Sequence, residues 1–340
     1  MVGNYIGGPA ACTAAGYANC TSLVAATTGQ YAKRGDLGDA IPFGMAGYGL
    51  LPTNVAMPSQ FAGNAFLVNK GSSNYHALLL TLNKNLSQGL QFEFNYTWSH
   101  SIDNNSQAAN NNAYFNSTGI ICDVTKPRAC RGPSDFDVRQ IITADFAYDL
   151  PFGHNQRFFG GSGILVNELI GGWSVSGIPS YRTGLPINVL SDAFIASFAA
   201  EDPAIFFGNK GDLKSSVNNE QGTVYNFAGG AAGAQKVANE FRGPIGLEYG
   251  QRNLLKGPGA ANLDMGLAKI FPIIPSKNVN LTFRADAFNI FNHPNFANPG
   301  GSVPDIVNNA SPFGQITSTI SPSGQVGDIR VAQFSLRLEF

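Results

Sequence analysis

Residues 90–99 read Leu-Gln-Phe-Glu-Phe-Asn-Tyr-Thr-Trp-Ser. Leu90, Phe92, Phe94, Tyr96 and Trp98 fall on one side of an extended chain. Gln91, Glu93, Asn95, Thr97 and Ser99 fall on the other, because side chains alternate faces along a strand. The segment is as long as the about 9–11 residues that a tilted strand needs to cross a bilayer. Just upstream, residues 75–84 set Leu78, Leu80 and Leu82 against Thr81 and Asn83, with Leu79 as an exception. Residues 85–89, Asn-Leu-Ser-Gln-Gly, join the two as a hairpin turn.

The same period returns downstream. In residues 140–150, Ile142, Ala144, Phe146, Tyr148 and Leu150 oppose Thr143, Asp145 and Asp149. From Gly172 onward, Trp173, Val175, Gly177, Pro179 and Tyr181 oppose Ser174, Ser176, Ser180 and Arg182. Pro179 weakens that strand, since a central strand uses the N–H that proline lacks. Leu263, Met265 and Leu267 oppose Asp264, Gly266 and Ala268; Leu281, Phe283, Ala285 and Ala287 oppose Asn280, Thr282, Arg284 and Asp286. The chain finishes with Phe334, Leu336, Leu338 and Phe340 opposing Gln333, Ser335, Arg337 and Glu339.

The connectors alternate in length. Residues 85–89, 151–171 and 272–278 are the shorter ones; residues 101–139, 189–261 and 292–330 are long, polar and rich in Gly, Asn and Pro. In an antiparallel meander every second connector lies on the same edge. Short turns on one edge and long loops on the other are the outer-membrane barrel arrangement, with the turns periplasmic and the loops extracellular. The expectation is an all-β, antiparallel up-and-down transmembrane β-barrel, partial at about seven or eight strands, with long extracellular loops. Tyr148, Phe152, Trp173, Phe271 and Phe340 then fall at the periplasmic edge, and Trp98 and Tyr181 near the outer edge, where aromatic girdles belong. Glu93, Asp145, Arg284, Asp286 and Arg337 would face the lumen, with Arg284 and Asp286 in a structural ion-pair network. A soluble β-sandwich is the competing architecture, but its wet faces usually carry more Lys and Glu.

Composition supports the membrane reading. Only 13% of the 340 residues are charged, against 44% hydrophobic, with 40 Gly, 25 Phe and 19 Pro. Ordinary soluble domains carry about 25% charge. The 21 basic and 22 acidic residues leave a net charge of -1, so the basic excess of a nucleic-acid binder is missing. No run approaches the ~18 apolar residues of a membrane helix, and residues 1–21 lack the basic and apolar regions of a secretory signal.

Cys12 and Cys20 have the same spacing as Cys122 and Cys130, and both pairs lie in segments that read as loops. Zinc sites prefer closer pairs with further ligands nearby. Two local disulfides, Cys12–Cys20 and Cys122–Cys130, are expected, over free thiols, and imply an oxidising compartment.

Several patches resemble a known family. Residues 74–78 (Asn-Tyr-His-Ala-Leu) followed by 94–99 (Phe-Asn-Tyr-Thr-Trp-Ser) are similar to the barrel of TonB-dependent outer-membrane receptors of the Oar-like type, common in acidobacteria. So are residues 149–153 (Asp-Leu-Pro-Phe-Gly), the Gly171-Gly172-Trp173 strand start, and 283–296 (Phe-Arg-Ala-Asp-Ala-Phe-Asn-Ile-Phe-Asn-His-Pro-Asn-Phe). The ending, with Phe334, Leu336, Leu338 and Phe340, resembles the terminal strand that the barrel-assembly machinery recognises. The resemblance implies a bacterial outer-membrane protein whose loops bind a ligand that is then moved through the barrel by TonB-driven plug rearrangement. Complete transporters of this class have about 22 strands. The expectation is therefore a C-terminal barrel portion, residues 74–340, preceded by an extracellular loop region, residues 1–73. The implied partners are outer-membrane lipid, the barrel-assembly machinery, N-terminal plug and barrel strands beyond this chain, and TonB through the full-length protein. The sheet would be open or strained, or completed by a strand at residues 60–70. A stand-alone passive pore, and a secreted β-rich adhesion or carbohydrate-binding protein, are the other readings.

No catalytic constellation emerges, and the expectation is not an enzyme, with no cofactor and no metal. His154 sits in a turn; His293 organises a strand end; His76 and His100 lie at outer strand ends. A general base needs a positioned partner, and no local motif supplies one. Asp36 with Asp39, and Asp103-Asn104-Asn105, could offer oxygens to calcium, but neither matches the calcium-loop pattern, and solvated loop is expected. Gly257-Pro258-Gly259 lacks the strand–turn–helix context of a nucleotide motif and reads as loop.

Overall fold

The computed structural model describes residues 8–27, 69–106, 126–129, 131–154, 156–161, 163–191, 202–243, 248–274, 279–299, 313–320 and 329–340. Seven long strands make the main sheet: β1 (Ser73–Ser87), β2 (Leu90–Asp103), β3 (Gln140–Asp149), β4 (Trp173–Arg182), β5 (Ala260–Ile274), β6 (Val279–Phe288) and β7 (Val331–Glu339). They pair in chain order, each neighbour antiparallel, so the sheet is an up-and-down meander. The two-residue strand Gly132–Pro133 adds to the outer end of β2. Among the described residues the outer edges of β1 and β7 have no strand partner. The completing strand considered for residues 60–70 falls mostly outside the described residues.

Register decides the faces, because paired residues share one. Leu78, Leu80 and Leu82 stand opposite Trp98, Tyr96 and Phe94, and Leu90, Phe92 and Phe94 opposite Tyr148, Phe146 and Ala144. This apolar face continues through Val175 and Leu267 to Phe283, paired with Leu336, and Leu281, paired with Leu338. Among the described residues no core covers its broad middle and edges: Leu78, Leu80, Leu82, Trp98, Phe334, Leu336 and Leu338 are all exposed. A sandwich would bury that face, so the sheet is a barrel wall with its apolar side turned to lipid, and the sandwich is set aside.

Local chemistry explains the strand limits. The β1–β2 turn is tighter than expected. Gln88 and Gly89 have φ of 54° and 77°, the two-residue hairpin geometry that needs positive φ at both centres. A register shift between Lys84 and Ser87 takes up the extra length, and Lys84 Nζ donates to the Ser87 carbonyl at 3.1 Å. A Cβ at Gly89 would sit 2.9 Å from the Asp149 carbonyl oxygen, where the Asp149 N–H donates to Gly89 O. Pro179 is accommodated inside β4. The ladder to β5 runs on through Pro179, while the ladder to β3 skips Ala144 and Asp145. The absent N–H thus falls at a gap in one ladder.

The hydrophobic core lies in the long connectors, not under the sheet. Val189, Ala204, Phe227, Ala234, Val237, Phe241 and Leu255 are buried together, with Phe313 packed against them. Phe227 and Phe313 stack at 5.4 Å. The sequence reads this region as loop; instead it folds. Pro186–Ile187 pairs with Leu255–Lys256, Ile205–Phe206 with Phe241–Arg242, and Gln315–Ile316 joins Thr223–Tyr225 across two connectors.

Four helices are described: α1 (Gly8–Ala14), α2 (Cys20–Thr27), α3 (Ile164–Ile170) and α4 (Gly230–Ala238). Cys12 and Cys20 therefore lie in helices, not in loop, because the segments are Ala-rich and Asn19 caps α2 by accepting from Ser22 N at 2.8 Å. The Cys12–Cys20 disulfide forms as expected and is packed with Leu23 and Tyr17. Cys122 and Cys130 lie outside the described residues.

Gly177 is covered by the Phe146 ring opposite it, and a Cβ there would come 2.6 Å from that ring. Gly177→Val is expected to destabilise the wall by about 1–3 kcal/mol through overpacking, read as a lower denaturant midpoint in lipid. An unchanged midpoint would show that the ring moves aside freely.

Candidate functional site

The outer ends of the strands carry a connected polar network under the folded connectors. Asp103 ends β2, and its carboxylate meets Arg252 Nη2 at 2.9 Å. The Asp103 side chain is 2% exposed and that of Arg252 10%. Arg252 also donates to Ser106 Oγ at 2.7 Å and to Asp135 at 3.2 Å. Ser106 Oγ in turn donates to Asp103 at 2.8 Å. The adjacent Asn253 donates to Asp135 at 2.6 Å and to the Pro133 carbonyl at 2.8 Å. Arg252 and Asn253 thereby fasten the β4–β5 connector to the β2–β3 connector. Gly132 permits the approach, since a Cβ there would meet the Arg252 carbonyl at 2.8 Å.

Asn104 ties in the entry to β1. It accepts from Ser72 N at 2.8 Å and donates to the carbonyls of Lys70 and Pro127. Beside it, the buried Asp137 accepts from Ser101 N at 2.7 Å and meets His100 Nδ1 at 3.1 Å and Arg139 Nε at 3.2 Å. The Asp103-Asn104 oxygens weighed as calcium donors are therefore buried in protein contacts and are not solvated loop. Asp36 and Asp39 lie outside the described residues.

The third connector joins through the stretch that carries the receptor-like motif. Asn289 and Asn292 adopt positive φ, as Asn tolerates better than most residues. Asn289 N donates to Asp264 at 2.8 Å, and its side chain clamps the His293 backbone on both sides. Asn292 accepts from Arg330 N at 3.0 Å, and Asn295 from Ala261 N at 2.8 Å. The motif's asparagines thus shape the exit from β6. His293 was expected to organise this end; Asn289 does so, and His293 contributes its backbone. His154 sits in the β3–β4 connector, where its N–H donates to Asn167 Oδ1 at 2.6 Å.

All five residues expected in the lumen stand on the polar face of the sheet. Glu93 opposes Asp145 directly, and Asn95 donates to Glu93 at 2.7 Å while accepting from Thr81. Arg284 and Asp286 on β6 pair at 2.8 Å beside Gly266 of β5, where a Cβ would meet Ser176 Oγ, Asp286 and Arg284. Arg337 pairs with Glu339 at 3.2 Å. Ile178 intrudes on this face, paired by register with Asp264.

In the connector layer, Lys236 on α4 binds Asp212 at 2.8 Å. The Lys236 ammonium holds the Asp212 carboxyl below its ordinary value, and Asp212 holds Lys236 above its own. The pair therefore fastens α4 at neutral pH and releases it as pH falls through the lowered Asp212 pKa; being exposed, it contributes little. Arg252 and Asn253 carry no sequence signal of their own, since one Arg-Asn pair in a polar connector looks like many others.

The wall, its apolar face and its one-sided folded connectors agree with a family model described as "Outer membrane beta barrel domain", which matches residues 28–333. The chain belongs to that family. No curated protein and no solved structure gives a significant match. Membership places the protein in the bacterial outer membrane, which removes the secreted alternative. The exposed apolar face of the barrel is then the lipid face, and the edge carrying the long connectors is the extracellular one.

Removing Arg252 from the barrel leaves the Asp103 carboxylate buried without its cation. Arg252→Met is expected to cost about 3–5 kcal/mol, seen as faster proteinase K cutting in the extracellular connectors while the strands stay protected. The double variant Asp103→Asn/Arg252→Met should recover much of that protection. Equal cutting in both variants would mean the ion pair does not hold the layer.

Proposed function

We propose that the chain is the C-terminal barrel portion of a TonB-dependent receptor of the Oar-like type. One observation carries the reading. Three extracellular connectors merge into a single layer with its own hydrophobic core, set above a polar face. A layer of that kind offers a fixed binding surface, whereas a simple pore needs only short, separate loops. The layer binds the ligand, and the ligand passes along the neutral-polar face that bears Glu93, Asp145, Arg284, Asp286 and Arg337. A plug and further barrel strands, encoded upstream, complete the wall along the free edge of β1, and TonB drives the plug.

The chain acts as a binder and conduit, without catalysis of its own. Its best-placed histidine, His100, faces a carboxylate already engaged by Ser101 N and Arg139. Phe334, Leu336, Leu338 and Phe340 form the β-signal for the barrel-assembly machinery. The first three alternate on the exposed apolar side of the edge strand β7, and Phe340 follows it at 98% exposure.

Sequencing upstream of the Met1 codon tests the receptor reading. An in-frame continuation encoding a plug and a signal peptide is the expected result. A stop codon close upstream, together with steady ohmic conductance from this chain alone in planar bilayers, would replace it with a passive pore. Phe340→Ala is expected to lower the folded, heat-modifiable fraction in the outer membrane several-fold; an undiminished fraction would remove the assembly role.

A further inference from the structure

The sequence reads the periplasmic β3–β4 connector as one of the shorter ones, residues 151–171, with His154 in a turn. Its described residues form a closed, folded unit. Gly153 N donates to Phe158 O, and Phe158 N to Pro151 O, at 3.1 and 3.0 Å. Phe152 packs on Phe158 and Phe159 with ring centroids 5.7 and 6.5 Å apart. Asn167 on α3 closes the unit by accepting from His154 N. Gly153 and Gly171 fit around its side chain, where any Cβ would collide.

The C-terminal end of α3 lies on the lipid side of the wall. Trp173 and Lys269 are opposed in register on the apolar face. The Trp173 indole N–H donates to Leu169 O at 2.9 Å. Lys269 Nζ donates to Gly171 O at 2.5 Å and lies 3.4 Å from Leu169 O. The ammonium also sits 5.0 Å from the Trp173 ring and 4.8 Å from Phe271. Lys269 is 3% exposed. A bare lysine on the lipid face costs about 2–4 kcal/mol at mid-bilayer and about 0–1 near the interface. Here carbonyls at the end of a helix solvate the ammonium, with two aromatic faces alongside. The lysine thus pins α3 to the outside of the barrel, not beneath the lumen.

What α3 and its neighbours then present is apolar. Phe159 is 64% exposed and Leu169 74%, with Phe158 and Val166 about half exposed. Arg157 stacks on Phe158 at 5.6 Å, leaving a cation beside the rings. α3 reaches the girdle directly, since its Leu169 carbonyl accepts from the Trp173 indole. Apolar side chains at interfacial depth with a neighbouring guanidinium match a phospholipid surface, tails for the former and phosphate for the latter.

We propose that residues 151–172 are an interfacial anchor seated in the periplasmic leaflet of the outer membrane, with Lys269 as the positioning residue that folds α3 onto the wall. The occupant is phospholipid, and the proposal stands on the barrel fold, independent of any receptor role. The barrel's two tryptophans, Trp98 and Trp173, allow a direct test. The full chain is reconstituted as W98F, W98F/F159W and W98F/L169W in phosphatidylethanolamine–phosphatidylglycerol vesicles with plain or brominated acyl chains. The emission added by each new tryptophan should fall by half or more with brominated lipid and resist aqueous iodide. Adding Lys269→Leu should shift the residue-169 reporter toward iodide quenching. An added signal quenched by iodide alone, or by neither agent as under a periplasmic protein, overturns the anchor. Indifference of the residue-169 reporter to Lys269→Leu overturns the positioning role. Trp173 in the W98F parent is the control: if brominated lipid does not quench it, the orientation of the wall is wrong, not merely the anchor.

Discussion

In hydrocarbon a backbone N–H or C=O has no water to turn to, so each must find a partner within the protein. The antiparallel ladder from β1 to β7 meets that demand between its strands, and the remaining architecture follows from it. The ladder fixes register, register fixes which side chains share a face, and the apolar face is then free to remain without a protein core. Even the exception obeys the rule. Pro179 is tolerated because its missing donor coincides with a gap in one ladder, while the other stays continuous.

Work is divided between wall and cap. The wall uses lipid in place of a core. The cap builds a water-soluble type of core from Phe227, Phe241, Leu255 and their neighbours. Between them sits the Asp103–Arg252–Asp135 cluster, at the level where the sheet ends. A buried charge pair there contributes more to specificity of docking than to net stability, because desolvation offsets much of its attraction. At the opposite rim, on the other side of the sheet, Lys269 is solvated instead by helix carbonyls and aromatic rings.

The wall was legible because alternation is a local signal. Leu90 to Ser99, Leu78 to Asn83 and the final strand could be placed on their faces from period alone, and the structure pairs them accordingly. Strand ends were less legible. β5 runs on through Lys269 to Ile274, since a lysine and Pro272 break the pattern while the hydrogen bonds continue. The cap was unreadable as a fold because its strands are two or three residues long, too short to show a period, and pair with partners far apart in the chain, in one case across two connectors. α3 hid for a similar reason: seven residues of helix between glycines show only about two turns. In the candidate site, the polar-face residues were found by alternation. Arg252 and Asn253 were not, because what distinguishes them is a distance to Asp103 and Asp135 that no linear spacing records.

The cross-linked cap has an evolutionary corollary. Its sheets and ion pairs are shared among connectors that are far apart in the chain, Gln315–Ile316 with Thr223–Tyr225 and Arg252 with Asp103. Contacts shared in this way couple the connectors, so that loss of one removes support from the others. A single connector therefore cannot be exchanged between homologous barrels without carrying its partners, and sequence change should be tolerated best where it leaves the shared underside intact.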